Sequence, residues 1–139
     1  MPEEIEQKKE YLKQYGAAVR QMVRSELVIN ELRMNKMHPS FVLSGSPCGS
    51  AQSDLSAYAV KLEEETEKYL KARYQRIRLC TEIRDRIEAM ADEDEKDILT
   101  YRYIKLVRWE GKNGICKKMG ISERGAYRLH GQALQHFKI

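Results

Sequence analysis

The sequence predicts an all-α protein: two long helices forming a hairpin or coiled-coil-like arm, followed by a compact C-terminal helix-turn-helix. Three observations predict it. Apolar residues recur at three- and four-residue steps over long stretches. Gly and Pro together number 11 of 139 residues, while strong helix formers are common. Charge is asymmetric: residues 101–139 carry nine Lys/Arg against Glu110 and Glu123, whereas residues 1–100 carry 16 Lys/Arg against 19 Asp/Glu. One basic end on a near-neutral chain is what a polyanion-binding surface produces.

The first helix is expected from about residue 3 to Met37, with Leu12, Tyr15, Val19, Met22, Ile29 and Leu32 along one seam. His38-Pro39 ends it, since proline biases the preceding residue away from helical backbone. The stretch "PSFVLSGSPCGSAQSD" makes 38–54 a flexible Ser/Gly/Pro break. A second helix is expected from near Leu55, capped by Ser53 or Asp54. Its stripe runs through Tyr58, Leu62, Tyr69, Arg76 or Ile77, Cys80, Ile83, Ile87 and Met90, interrupted at Glu65 or Thr66 and at Arg73. So thin a stripe cannot support a lone helix of this length. It needs the first helix folded back on it, a second copy of the chain, or both. Residues 1–91 therefore read as a helical arm and oligomerisation region, in a homodimer or higher homo-oligomer.

Residues 92–139 form the second expected domain. Asp92 or Asp94 caps a helix of roughly 95–106 that buries Ile98, Leu99, Tyr101, Ile104 and Tyr103. "RWEGKNG" is a turn, in which Trp109 packs against the short helix "ICKKM". Gly120 supplies a left-handed corner, Ile121 plugs the angle, and Ser122 caps a final helix to about Phe137. Ala126, Leu129, Ala133, Leu134 and Phe137 are its core face, His130 sits at the rim, and His136 has no obvious partner. A glycine corner between a short and a longer helix is how a helix-turn-helix is built.

A reading helix enters the major groove with its early residues near the bases. Ser122, Arg124, Tyr127 and Arg128 are the candidate contacts on that helix, with Arg124 and Arg128 placed for guanine edges or phosphates. Lys117 and Lys118 before the corner, and Arg108 and Lys112 in the turn, suit backbone phosphates. The solvated-tail alternative assigns these cations no partner at all.

Other classes are disfavoured. There is no apolar run of membrane-spanning length and no secretory leader. Cys48, Cys80 and Cys116 are scattered in no metal-ligand spacing, which suits a reducing cytoplasm. No phosphate loop, nucleophile elbow or His cluster appears, so no enzyme, cofactor or metal is expected. The acidic runs "LEEETEK" and "ADEDEKD" read as solvated helix face and cap.

"DILTYRYIKLVRW...ICKKMGISERGAYRLHGQAL" resembles region 4 of bacterial sigma-70-type factors and, more closely, the RinA/ArpU-like regulators of phages and prophages. The distinctive part is residues 95–137. The resemblance implies activation of phage late genes by promoter binding next to a host RNA polymerase. It assigns Arg102 and Tyr103 to holding the preceding helix, Ile115 and Met119 to packing, and Ser122, Arg124, Tyr127 and Arg128 to the start of the reading helix. The chain departs from the family where "GKNG" lengthens the turn after Trp109-Glu110. Two alternatives stand beside it: the small subunit of a phage packaging terminase, and a protein-only adaptor whose corner no longer binds DNA.

Overall fold

A computed structural model describes residues 2–37 and 50–139, with the side chains of 2–34 and 55–139. Among the described residues there is no strand, and the architecture is all-α with two long packed helices. These are α1 (Pro2–Met37) and α2 (Ser50–Glu88), followed by α3 (Glu93–Leu99), α4 (Ile115–Met119) and α5 (Glu123–His136).

Helix α1 carries Glu3 and Glu4 in its first turn, where the helix dipole favours anions, and stops at Met37. Of the expected break, residues 38–49 lie outside the described residues. Residues 50–54 are helical, so α2 starts earlier than Leu55 and Ser53 and Asp54 are not its caps. Ala51 and Gln52 are good helix formers and favour that earlier start.

Asp92 is the cap of α3: its Oδ1 accepts the Glu95 backbone N–H at 3.1 Å. Helical structure ends sooner than the expected residue 106. After Leu99 the chain makes one π-helical turn, Thr100–Ile104, and Leu106 then adopts a left-handed φ of 56°. Leucine rarely takes that backbone. The reversal is held by the Val107 N–H donating to the Tyr101 carbonyl at 2.9 Å and by Arg102 Nη1 donating to the Val107 carbonyl at 3.3 Å.

The chain divides into two compact units, and the expected boundary at 91/92 falls inside the first. That unit joins Met1–Ala17 to Arg76–Ile139. Its core is Leu12, Ile83, Ile87, Ile98, Leu99, Ile115, Leu134 and Phe137, each essentially removed from water. At roughly 2 kcal/mol per side chain, this cluster is the main favourable term for the unit. Tyr11 of α1 donates its hydroxyl to Glu82 of α2 at 2.7 Å, and the Arg86 guanidinium lies 5.4 Å from the Tyr11 ring centre.

Side chains of α1 and α2 also satisfy the C-terminal end of α5. The buried Lys8 ammonium donates to the Gln135 carbonyl at 3.2 Å, and Arg86 Nη1 donates to the Lys138 carbonyl at 3.4 Å. Phe137 lies between these two residues in sequence, and its ring centre is 6.1 Å from that of Tyr11. Cations on terminal carbonyls replace hydrogen bonds that the helix cannot make to itself.

The second unit, Ala18–Gln75, pairs the later part of α1 with the earlier part of α2. Among the described residues its buried ones are Ala18, Ile29, Ala72 and Glu65. The interruption expected at Glu65 is real, and its carboxylate is paired with Lys61 at 3.4 Å and Lys68 at 3.3 Å. Val23, Leu27, Met34, Leu55, Val60, Leu70 and Tyr74 are all exposed in this unit.

Candidate functional site

The site is built on the corner between α4 and α5. Gly120 has φ 65° and ψ 36°, and its N–H caps α4 by donating to the Cys116 and Lys117 carbonyls. A β-carbon at that backbone is strained, which explains the glycine. Two residues on, Ser122 Oγ accepts the Gly125 N–H at 3.0 Å and starts α5. Ala126, Ala133, Leu134 and Phe137 are fully buried and Leu129 is half-buried, so the expected core face of α5 is the one that packs.

The turn inserted by "GKNG" is closed rather than splayed. Ile115 N–H donates to the Arg108 carbonyl at 2.8 Å, Cys116 N–H to Trp109 at 3.3 Å and Gly114 N–H to Gly111 at 3.1 Å. Gly114 makes this possible, since a β-carbon there would lie 2.6 Å from the Glu110 carbonyl carbon. The insertion thus forms a small loop sitting on the start of α4.

Trp109 reaches further than the short helix. Its backbone carbonyl meets α4, and its ring lies against α5, 5.0 Å from Tyr127 and 5.0 Å from His130. The Arg102 guanidinium lies 5.1 Å from the same ring, giving the cation a π-face. The closed loop brings Trp109 to the aromatic edge of α5. His130 is a packed rim residue, as expected: its Nε2 lies 2.8 Å from the Tyr103 hydroxyl and the two rings stack. Burial, aided by the charges of Lys9 and Arg102, pushes its pKa down to about 4. Burial likewise pushes the Tyr103 hydroxyl up to about 12. Both side chains are therefore neutral near pH 7, and the imidazole tautomer decides which of them donates.

All eight expected contact residues are exposed: Arg108, Lys112, Lys117, Lys118, Ser122, Arg124, Tyr127 and Arg128. Among the described residues, none of these six cations is ion-paired within the chain. Arg124 and Arg128, one turn apart, share the α5 face opposite its core, and Tyr127 flanks them with its ring braced by Trp109. The Ser122 hydroxyl uses an oxygen lone pair in the cap and keeps its hydrogen to donate.

Two features are not visible in the sequence pattern. His136, expected to be alone, donates Nδ1–H to the buried Glu95 carboxylate at 2.8 and 2.9 Å. Glu110 and Glu123, the two acids of the basic segment, meet at the start of α5. Hydrogen bonding to Glu110 and repulsion from its charge hold the Glu123 carboxyl above its usual range. Negative charge on this surface is thus confined to one corner.

No group of three or more His, Cys, Asp or Glu is placed to hold a metal ion among the described residues. No described helix is long and apolar enough to cross a membrane. No curated protein and no solved structure matches the chain. A family model does match, over residues 32–138, and covers both the end of α1 and the whole of this site; the chain belongs to that family, described as a protein of unknown function (DUF1492).

Proposed function

We propose that the protein is a sequence-specific double-stranded-DNA-binding regulator of transcription, in which α4 and α5 act as a helix-turn-helix. One observation carries the reading. Behind a glycine corner and a serine cap, α5 holds Arg124, Tyr127 and Arg128 exposed while Ala126, Ala133, Leu134 and Phe137 on the other side are buried. A rigid helix with unpaired cations at its beginning suits entry into the major groove. Arg124 and Arg128 then read guanine edges or grip phosphates, Tyr127 contacts sugar or base, and Lys117 and Lys118 hold the backbone. Arg108 and Lys112 extend the same surface. The resemblance to RinA/ArpU-like regulators supports an activator of phage late genes that works beside a host RNA polymerase.

Selection of duplexes from a random library with the purified protein tests the reading. Enrichment of one motif supports it, and enrichment at a packaging site rather than a promoter moves the function to a terminase-like role. No enrichment, with weak binding lost at modest salt, removes it.

A further inference from the structure

Tyr127 is 48% exposed, yet its ring is not free. The Trp109 ring lies 5.0 Å away, tilted by 47°, and is itself held by two further side chains. The Arg102 guanidinium sits 5.1 Å from its centre, and the His130 ring meets it edge-on at 5.0 Å and 79°. His130 is in turn stacked on buried Tyr103 and hydrogen-bonded to it at 2.8 Å. The backbone of Trp109 is fixed as well, its carbonyl accepting the Cys116 N–H at 3.3 Å in the first turn of α4. Of Arg102, Tyr103, Trp109, Tyr127 and His130, Tyr127 alone is exposed.

An exposed tyrosine on a helix ordinarily divides its time between two χ1 rotamers. An aromatic pair favours the conformation that keeps its contact by roughly three- to tenfold. Arg124 and Arg128, which flank Tyr127, are long side chains that adapt to whatever lies in front of them. The tyrosine ring instead presents one fixed edge. A group already in place gives up less freedom on binding, and a fixed shape discriminates where an adaptable one does not.

We infer that Trp109 is a positioning residue for DNA reading: acting through Tyr127, it fixes that ring against the duplex and so sets the preference for the base pairs the ring meets. The inference rests on α5 being the reading helix. Arg102 serves the same end, its guanidinium being committed to the Trp109 ring and, at 3.3 Å, to the Val107 carbonyl. Part of the base preference of α5 is thus set by the turn ahead of α4.

Full-length wild type, Trp109→Leu, Trp109→Phe and Tyr127→Ala, each checked for folding by circular dichroism, test this by selecting duplexes from a random library, with affinities read by fluorescence anisotropy. Tyr127→Ala and Trp109→Leu are expected to relax the preference at the same base pairs and keep it elsewhere. Trp109→Leu should bind the wild-type duplex roughly three- to tenfold more weakly, and Trp109→Phe, which keeps a ring, should recover most of that loss. Trp109→Leu/Tyr127→Ala should bind no more weakly than Tyr127→Ala, because the tryptophan acts through the tyrosine. Trp109 is the one tryptophan of the chain, so its emission reports the contact directly, and Tyr127→Ala should shift it to longer wavelength before any DNA is added. Should Trp109→Leu not fold, Arg102→Gln, which takes the cation off the same ring, is expected to relax the same base pairs. A folded Trp109→Leu that keeps the wild-type preference, or loses affinity equally for every duplex, overturns the inference while leaving α5 as the reading helix. A loss undiminished in the Tyr127→Ala background does the same. A wild type that enriches no motif removes the reading itself, and the inference with it.

Discussion

The Tyr103 hydroxyl and Nε2 of His130 are hydrogen-bonded across 2.8 Å, tying the π-helical turn after α3 to the middle of α5. Burial disfavours the charged imidazole and holds His130 at a pKa of about 4 against an ordinary value near 6.5. Between those values the unfolded chain takes up a proton that the folded chain refuses. Stability contributed by His130 is therefore complete above about pH 6.5 and is lost as pH falls toward 4, at a cost of the order of 2 kcal/mol. Urea midpoints at pH 7 and pH 4.5 measure it. His130→Gln, which can still accept from Tyr103, should flatten the difference; an unchanged difference would assign it to the carboxylates instead.

The Glu95 carboxylate is buried and His136 is its side-chain partner. His136→Ala is expected to destabilise by about 1–3 kcal/mol, because it strands a desolvated acceptor. Replacing both residues by leucine should cost less than the single change. Chemical denaturation of the three proteins decides it, and a double variant worse than His136→Ala would contradict the stranded-carboxylate explanation.

Residues 92–139 carry the whole site but not the whole of its packing. Phe137 is fully buried with its ring near Tyr11, and Lys8 and Arg86 hold the last carbonyls. A fragment of residues 92–139 is expected to show little cooperative helical melting by circular dichroism. In the full chain, Phe137→Ala should cost about 3–5 kcal/mol. A fragment that melts as a folded domain would detach the site from α1 and α2.

Gly131 lies inside α5, and a β-carbon there would meet nothing within 4 Å. Packing does not require this glycine, yet it costs the helix about 0.5–1 kcal/mol relative to alanine. Gly131→Ala should raise the melting temperature. If α5 lies in a groove, the added methyl on the side nearest Arg128 should also lower DNA affinity. A stabilised variant with unchanged affinity would place residue 131 away from the DNA.

What the sequence discloses about this fold is what is local. The Asp92 and Ser122 caps, the Gly120 corner and the core face of α5 each rest on residues within a few turns of one another, and all are present. The start of α2 is less legible, because Ser50 and Ser53 suit a loop and a helix terminus equally well. Partnerships across the fold leave no local mark. His136 and Glu95 are 41 residues apart, Tyr103 and His130 27, and Lys8 and Gln135 127. The orientation of Trp109 is hidden for a related reason: its ring follows a loop closure that Gly114 permits and periodicity does not register.

Reading of DNA by α5 is tested most directly with a duplex selected by the protein, followed by fluorescence anisotropy for the wild type and for Arg124→Ala/Arg128→Ala. Both side chains are exposed, so the double variant should stay folded. It is expected to lose roughly a hundredfold or more in affinity for the selected duplex. Wild-type affinity should also fall steeply between about 50 and 200 mM salt, as neutralised phosphates recover their counterions. A folded double variant that binds like the wild type would contradict the assignment of α5 as the reading helix.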